Sequence, residues 1–298
     1  MGDTLYGRRC KLTLAVPVST PGDFKNVTND VVEINGGDDP NAPWLRIRFK
    51  VTKTREKNPN PAEITVTNLS EPRRQSLQTK GVRVLLEAGY AGTGLSRIFA
   101  GDARTIDHAR EGADWSSLIK CGDGERAFRF ARSAESFAPG SKAGDVLRYL
   151  GKQLGLDTGN LAREAAKLDA IRFDQGYAVW GPVQTQIDRL LSSLGWTYSI
   201  QDGTLQVLKR GEVLDGLLVP EITPDTGLIG SPEMGTPEVK GQPALCKFKC
   251  LLTPTRPGGL IKLRSDRYNG QLVVKKCEFE GDSAGGPWYT TVEGILHG

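Results

Sequence analysis

The side chains that could carry out catalysis are few and scattered in this sequence. It contains two histidines, His108 and His297, and neither stands in a recognisable arrangement with a serine or cysteine nucleophile. Base-assisted nucleophilic catalysis needs such an arrangement, so we interpret both histidines as structural or surface groups. A glycosidase needs only two carboxylates. Because 35 acidic residues are present and nothing selects a pair, that class stays open at this point.

Two Asp-Thr-Gly triplets are the next candidates for chemistry. The triplets at 157–159 and 225–227 repeat a motif of aspartic proteases, in which two aspartates share a proton. In those enzymes the triplet follows an apolar strand. Here one triplet follows a predicted helix that ends at Gly155, and the other follows Thr223 and Pro224. The sequence therefore disfavours a protease.

A pair of glycines has the spacing that opens a phosphate-binding loop. Gly89 and Gly94 are five positions apart, but Leu95 and Ser96 follow where that loop requires Lys and then Ser or Thr. Without the lysine no side chain can neutralise the terminal phosphates. We interpret the segment as the glycine-rich tip of a hairpin.

The cysteines are odd in number and form no CxxC pair. They occupy positions Cys10, Cys121, Cys246, Cys250 and Cys277. Each lies within a predicted strand, so we interpret them as reduced, buried, small apolar side chains. A disulfide framework or a zinc site is the alternative. We predict no catalytic, cofactor-binding or metal-binding residues, and no cofactor.

The composition describes a glycine-rich chain of low net charge. Its 298 residues are enough for two or three domains. The 36 glycines favour short strands and many turns, and the net charge of +4 is spread thinly along the chain. A sequence-specific DNA-binding protein usually concentrates its basic residues on one face, so the thin spread of charge argues against that class. We expect neither a signal peptide nor a membrane span, since no apolar stretch is long enough.

Residues 1–125 are predicted to be mostly β-structure. The cleanest alternation is Leu45–Val51, with apolar residues on one face and cations on the other. Residues 53–61 are predicted to form a polar loop, because their prolines cannot donate to a ladder. A short helix is predicted over residues 68–80, with Ser70 as its N-cap. The other predicted strands cover residues 12–18, 31–34, 64–66, 82–88, 97–109 and 115–121.

Residues 126–215 have a different pattern and are predicted to form a small α/β domain. Ser141 is predicted to cap a helix that stops near Gly155, and Pro182 is predicted to open a strongly periodic helix that Gly195 ends. Residues 161–168 are a further helical segment, and residues 171–179 are predicted to be extended. The pattern of residues 196–208 predicts a β-hairpin. The glycine- and proline-rich residues 211–243 are predicted to form an irregular connector.

The segments 63–121 and 246–294 contain the same order of elements. In each, a strand leads through a proline-containing link to a second strand, a Tyr/Gly turn and a longer third strand. A glycine-containing turn then precedes a tryptophan, Trp115 or Trp288. This order predicts a β module that is present twice, with coincidence between two β-rich segments as the alternative. The predicted fold is mainly β (α+β overall), with modules at 1–125 and 216–298 and the α/β domain at 126–215 between them.

Several short motifs, taken in order, resemble the baseplate hub proteins of contractile-tailed bacteriophages. They are NPAEITVTNL at 60–69, Gly176-Tyr177, the helix end at 190–196, QDGTL at 201–205, DTGLIGSP at 225–232, KFKCLLTP at 247–254, PGGL at 257–260, Gly281-Asp282-Ser283 and Trp288-Tyr289-Thr290. The resemblance covers most of the chain and is weakest over residues 1–40 and 125–170.

This resemblance implies a homotrimer in the virion baseplate, assembled in the cytoplasm of the host bacterium. Each chain of such a hub carries two tail-tube-like antiparallel β-barrel modules, so three chains form a ring of approximate six-fold symmetry. The ring joins the tail tube protein to the spike protein beside other baseplate proteins. Its channel passes the tape-measure protein and then DNA, without sequence-specific binding. A duplicated module suits this role, because three chains then offer six similar faces.

Two other hypotheses remain. The chain could be a tube or spike-adaptor subunit of a related tail or secretion machine. It could also be an enzyme, such as a cell-wall hydrolase carried by the tail, although no additional domain for that activity is visible. We therefore expect a structural protein and not an enzyme.

Overall fold

The computed structural model describes residues 7–19, 27–35, 44–214, 219–235 and 244–297. Strands account for 54% and helices for 18% of the structure, and nearly all strand pairs are antiparallel. The strands are β1 (Arg8–Ser19), β2 (Val27–Ile34), β3 (Ile47–Thr54), β4 (Pro61–Thr67), β5 (Arg83–Tyr90), β6 (Gly94–Glu111), β7 (Asp114–Gly122), β8 (Arg132–Phe137), β9 (Ser141–Lys142), β10 (Arg172–Phe173), β11 (Tyr177–Pro182), β12 (Trp196–Gln201), β13 (Thr204–Lys209), β14 (Glu221–Ile222), β15 (Leu228–Gly235), β16 (Leu245–Leu251), β17 (Leu260–Arg264), β18 (Asn269–Asp282) and β19 (Trp288–His297). The α-helices are α1 (Glu71–Ser76), α2 (Glu125–Phe130), α3 (Ala143–Leu154), α4 (Leu161–Lys167) and α5 (Val183–Ser193).

One 13-stranded sheet dominates the structure. Its strand order is β15-β16-β19-β18-β3-β4-β7-β6-β5-β1-β2, with β17 beside β18 and β14 beside β17. Strands from both ends of the sequence therefore meet in one sheet, where β18 pairs with β3. Across the described residues this order is open at β15 and at β2, and no closed barrel is found. The mainly β prediction is confirmed.

The apolar core of the sheet follows from the alternation seen in the sequence. In β3 the side chains of Ile47, Phe49 and Val51 are buried while the cations between them are exposed. In β16 the buried positions are Cys246, Phe248 and Cys250, and the intervening lysines face solvent. These residues belong to one continuous cluster that includes both β-rich segments. Each fully buried large apolar side chain contributes roughly 1.5–3 kcal/mol.

A second apolar core lies among the elements between β8 and β13. Helix α3 buries Val146, Leu147 and Leu150 against α4 and α5, as their helical spacing predicts. The helix ends at Gly155, whose φ of 70° places it in the left-handed region that glycine adopts readily. The hairpin β12–β13 covers this core and turns through Asp202, with φ 56°, and Gly203, with φ 77°. A left-handed Asp-Gly pair is typical of the two-residue hairpin turn.

Some local predictions differ from the structure. The connector predicted at 211–243 contains β15, an edge strand held by its ladder with β16 and not by a periodic apolar face; residues 215–218 and 236–243 of it lie outside the described residues. Pro61 was predicted to prevent pairing, yet it begins β4 opposite Gly122, because the first residue of a strand tolerates proline. The extended segment at 171–179 is interrupted by a turn at Gly176.

The predicted helix caps are wrong in detail. Ser70 occupies the N-cap position of α1, but its side chain accepts no hydrogen bond from the helix. Ser141 lies one residue before the N-cap position of α3, which is Lys142. The Ser141 hydroxyl instead donates to the carbonyl oxygen of Ala138 at 2.6 Å, so it closes the preceding turn and does not cap the helix.

Candidate assembly surface: a repeated sheet unit and its junction

The large sheet contains the same five-strand unit twice. Unit A has the order β3-β4-β7-β6-β5, and unit B has the order β15-β16-β19-β18-β17. Every neighbouring pair in unit A is antiparallel, and so is every neighbouring pair in unit B. The prediction that the two segments share one order of elements is confirmed by this pairing.

The two units also share their register. When residues are counted from Trp115 in β7 and Trp288 in β19, the ladder rungs of unit A have equivalents in unit B except at two places. Strand β15 has a register shift between Ile229 and Glu233 that β3 lacks, and the β5–β6 ladder has a shift between Leu86 and Glu87 that the β17–β18 ladder lacks. Equivalent positions are Trp115 and Trp288, Ile119 and Val292, Ile64 and Phe248, Ile47 and Leu228, and Val84 and Ile261. A shift of one residue would turn every side chain to the opposite face. The same side chains therefore face the core in both units.

A β-bulge lies at the same rung of both units. It falls between Ala103 and Thr105 in β6, and between Val274 and Lys276 in β18. A bulge bends its strand and is a specified feature of a fold. Before the bulge, one edge of the bulged strand pairs with a shorter strand: β6 pairs with β5, and β18 pairs with β17. After the bulge, the same edge is available to another strand.

In unit B the available edge is occupied by unit A of the same chain. Beyond its bulge, β18 pairs with β3 through seven residue pairs, from Lys276 opposite Thr54 to Asp282 opposite Arg48. The side chain of Lys50 adds an ion pair with Glu278 at 3.1 Å. We call this ladder the intrachain junction.

Charged and aromatic contacts fix one end of the intrachain junction. Arg46 binds Asp282 through two nitrogens, with Nη2 at 2.6 Å from Oδ2 and Nε at 3.0 Å from Oδ1. Burial raises the pKa of Asp282, but the hydrogen bonds from Arg46 and from the Ala284 N–H, together with the charges of Arg46 and Arg48, hold that pKa below its ordinary value. Phe49 meets Trp288 edge-on at 5.5 Å and packs over the backbone of Gly281. The glycine is required there because a Cβ atom would lie 2.2 Å from the Phe49 ring.

Buried polar groups attach the β12–β13 hairpin to the same sheet. Lys53, at the end of β3, donates to both carboxylate oxygens of Asp202 at 2.7 Å. Asp123, which follows β7, accepts from the backbone N–H groups of Asp202 and Gly203 at 2.5 and 2.7 Å. Asn60 donates to the carbonyl oxygen of Ile200 at 3.0 Å. The second core is thus tied to the sheet beside the intrachain junction.

The carboxyl group of Asp123 has an unusual protonation equilibrium. Its burial and the neighbouring charge of Asp202 raise its pKa to about 7, although the two backbone N–H groups and Lys53 act in the opposite direction. The sequence analysis does not predict this cluster, because it places Lys53 in a polar loop and Asp202 in a hairpin turn. Its only visible signal was a lysine on the inward register of β3, after Ile47, Phe49 and Val51.

His108, one of the two histidines interpreted as structural or surface groups, has polar contacts at both ring nitrogens. His108 Nδ1 lies 2.9 Å from Ser117 Oγ, and Nε2 lies 3.1 Å from the carbonyl oxygen of Arg74. Burial is the main reason why the pKa of His108 is lowered. The serine is fully buried, so no substrate can reach its hydroxyl. These contacts connect β6, β7 and α1.

The other motifs fall in separate places. Asp157 bonds through its backbone to the β12–β13 hairpin, whereas Asp225 lies in a 3₁₀ turn before β15. The two aspartates do not come together as a protease pair. In the β5–β6 hairpin, Gly89 lies opposite Leu95 and Gly94 lies opposite Tyr90, so the segment is a hairpin tip as interpreted from the sequence.

The five cysteines are free thiols and all are buried. Burial raises the pKa of four of them, Cys10, Cys121, Cys250 and Cys277, to about 12. Within the described ranges no group of three or more His, Cys, Asp or Glu side chains could hold a metal ion. The same part of the chain has no helix long and apolar enough to cross a membrane.

Comparison with known proteins identifies the family. The family described as "Baseplate hub gp41" matches residues 29–294. The chain belongs to this baseplate hub family. It is therefore a structural protein of the phage tail baseplate, and the matched proteins are tail and baseplate proteins rather than enzymes. No sequence among the curated proteins matches the hub protein.

Solved structures of tail proteins share the fold of the hub protein at low sequence identity. A 43 kDa tail protein of prophage MuSo2 from Shewanella oneidensis is 8% identical with a TM-score of 0.61, over 96% of both chains. A tail protein from Neisseria meningitidis MC58 is 8% identical with a TM-score of 0.60, over 98% of both chains. The E. coli c3393 protein, a type VI secretion component described as similar to T4 tail proteins gp27 and gp5, is 11% identical. Its TM-score is 0.57, over 89% of the hub protein and 76% of its own chain.

Proposed function

We propose that the hub protein forms a trimeric ring of approximate six-fold symmetry that joins the tail tube to the spike. The repeated sheet unit carries this proposal. Two units with the same strand order and the same bulge in their longest strand give three chains six similar faces. A symmetric oligomer of three such chains can match a six-fold partner on one side and a three-fold partner on the other.

The proposed division of the chain follows the two cores. Residues 1–125 and 216–298 form the two tail-tube-like β modules, which complete their barrel walls only within the ring. Residues 126–215 form the inserted α/β domain. The large sheet core contains side chains from both modules, and the second core lies within 143–207.

The proposed partners are the tail tube protein, the spike protein, other baseplate proteins and the tape-measure protein. DNA passes through the channel without sequence-specific binding, which fits a chain whose net charge is only +4. Assembly takes place in the cytoplasm of the host bacterium, and the mature ring resides in the virion. The E. coli type VI secretion component described as similar to T4 tail proteins gp27 and gp5 supports a position next to a spike.

A tube or spike-adaptor subunit of a related tail or secretion machine is the second candidate, because a type VI secretion component shares the fold. Mass photometry of the purified protein separates the two proposals. Three copies in a closed particle support the hub, whereas six copies would favour the tube subunit. An assay for cell-wall hydrolysis tests the enzymatic hypothesis, and we expect no activity.

A further inference from the structure

Among the strand edges that are unpaired within the described residues, one lies on β6 and one on β15. Beyond its bulge, β6 pairs with β7 on one side and with no strand on the other. Strand β15 pairs with β16 and ends the sheet. Unpaired edges expose rows of N–H and C=O groups that readily pair with another chain.

These two edges are the equivalents of the two strands in the intrachain junction. In the unit correspondence, β6 matches β18, and β15 matches β3. The rungs agree in detail, since Lys50 faces Glu63 in unit A while Glu233 faces Lys247 at the same position in unit B. Strands β18 and β3 pair within one chain, and the equivalent strands β6 and β15 are placed to pair in the same way between chains.

Apolar exposure on β15 supports a missing partner. Met234 is the equivalent of Val51, because Val51 faces Ala62 and Met234 faces the equivalent Cys246. The side chain of Val51 is fully buried beneath the intrachain junction, whereas Met234 is 43% exposed. Ile229, on the same edge, is 37% exposed. A strand beside β15 would cover Met234 as the intrachain junction covers Val51.

We propose that β6 of one protomer pairs antiparallel with β15 of the next, repeating the intrachain junction between chains. The occupant of each edge is therefore a second copy of this chain. This contact is head-to-tail, so successive copies either close into a ring or continue into a filament. The inference rests on the proposed trimeric ring and adds the strands and the register that close it.

The register follows from the intrachain junction. There, Glu280 lies opposite Lys50. The equivalent residues are Ala109 in β6 and Glu233 in β15. Both are exposed in the single chain, so the interchain ladder places Ala109 of one protomer opposite Glu233 of its partner.

Disulfide cross-linking of the full-length protein tests this register. The variant Ala109→Cys/Glu233→Cys, oxidised mildly and run on a non-reducing denaturing gel, is expected to yield covalent dimers and trimers and to stop at the trimer. Cysteines directly opposite on neighbouring strands come close enough for a disulfide. All five native cysteines are buried in the folded protein, and alkylating the free thiols after oxidation and before denaturation keeps them from exchanging.

Three controls sharpen the result. Lys50→Cys/Glu280→Cys is the intrachain equivalent and is expected to form a disulfide without any increase in mass. Arg110→Cys/Glu233→Cys moves one cysteine to the neighbouring position, which points to the other face of the strand, so it is expected to cross-link at least tenfold less. Each single cysteine variant is expected to remain monomeric on the gel.

The outcomes separate this inference from the proposed function. A native trimer that fails to cross-link at Ala109 and Glu233, while the intrachain control does, overturns the strand pairing and leaves the ring standing. Dimers from Glu233→Cys alone would show that β15 pairs with itself, and products larger than the trimer would show an open filament; both overturn the pairing. A chain that stays monomeric at high concentration overturns the ring and the pairing together.

Discussion

Lys53 Nζ lies 2.7 Å from both carboxylate oxygens of Asp202. Both side chains are almost fully buried, with exposed fractions of 1% and 3%. Lys53 belongs to β3, the strand of the intrachain junction, and Asp202 belongs to the β12–β13 hairpin. One buried ion pair therefore couples the second core to the sheet at the place where the two units meet.

Lys53→Met is expected to lower the free energy of unfolding by about 3–5 kcal/mol, because it leaves the Asp202 charge buried without its partner. The double variant Lys53→Met/Asp202→Asn is expected to recover part of that loss. Urea denaturation of both variants, of Asp202→Asn and of the natural protein gives the four unfolding free energies of a double-mutant cycle. Strictly additive losses would contradict a direct interaction.

Asp123→Asn tests the raised pKa of Asp123. An acid whose folded pKa is about 7, above its ordinary value of 3.8, binds its proton more tightly in the folded state. Its contribution to stability is present at low pH and is lost as the pH rises through that range, by at most about 1.4 kcal/mol per pH unit. The asparagine variant lacks this titration.

We therefore expect the Asp123→Asn variant to lose more stability, relative to the natural protein, at pH 5 than at pH 8. The groups facing Asp123 are Asp202 and Lys53, and both are retained. Urea denaturation across this pH range makes the comparison. A stability difference that is constant with pH would rule out the raised pKa.

Gly281→Ala tests the packing at the end of the intrachain junction. The new Cβ atom would lie 2.2 Å from the Phe49 ring, so we expect a loss of about 1–3 kcal/mol from overpacking. The compensating change Phe49→Leu, made in the alanine background, is expected to restore part of the loss by shortening the opposing side chain. Thermal unfolding of the single and double variants measures both effects. If the double variant is no more stable than Gly281→Ala, the strain does not arise from contact with Phe49.

Met234→Lys tests the free edge without a covalent link. We expect a stable monomer, with subunit association weakened at least tenfold, because the lysine would have to be buried under the partner strand. Leu95→Lys is a matched control, since Leu95 is 39% exposed on the β5–β6 hairpin and away from both free edges. Sedimentation velocity compares the two. Equal weakening by both variants would contradict the assignment of this edge.

Sequence patterns predicted most of the sheet. Each of these strands buries one face, so apolar and polar residues alternate along its sequence. Leu45–Val51 and Cys246–Leu252 alternate cleanly, and both bury the expected side chains. The order of elements around Trp115 and Trp288 predicted the repeated unit, and the Asp202-Gly203 turn predicted its hairpin. These features depend on residues close together in the sequence.

The remaining features depend on partners that are distant in the sequence. Strand β15 has no periodic apolar face and becomes a strand only through its ladder with β16. The β3–β18 junction joins residues more than 200 positions apart, and nothing in the local pattern of either strand specifies it. Lys53 was missed because a buried lysine is recognised only from its acidic partner, which lies 149 residues away.

Cryo-electron microscopy of the purified hub protein tests its central role most directly. The repeated unit predicts a closed ring of three copies in which six similar lobes surround one channel, with intrachain and interchain strand junctions alternating around it. A closed ring of six copies would contradict the hub assignment, and so would a three-copy particle whose units A and B do not lie on a common pseudo-six-fold circle.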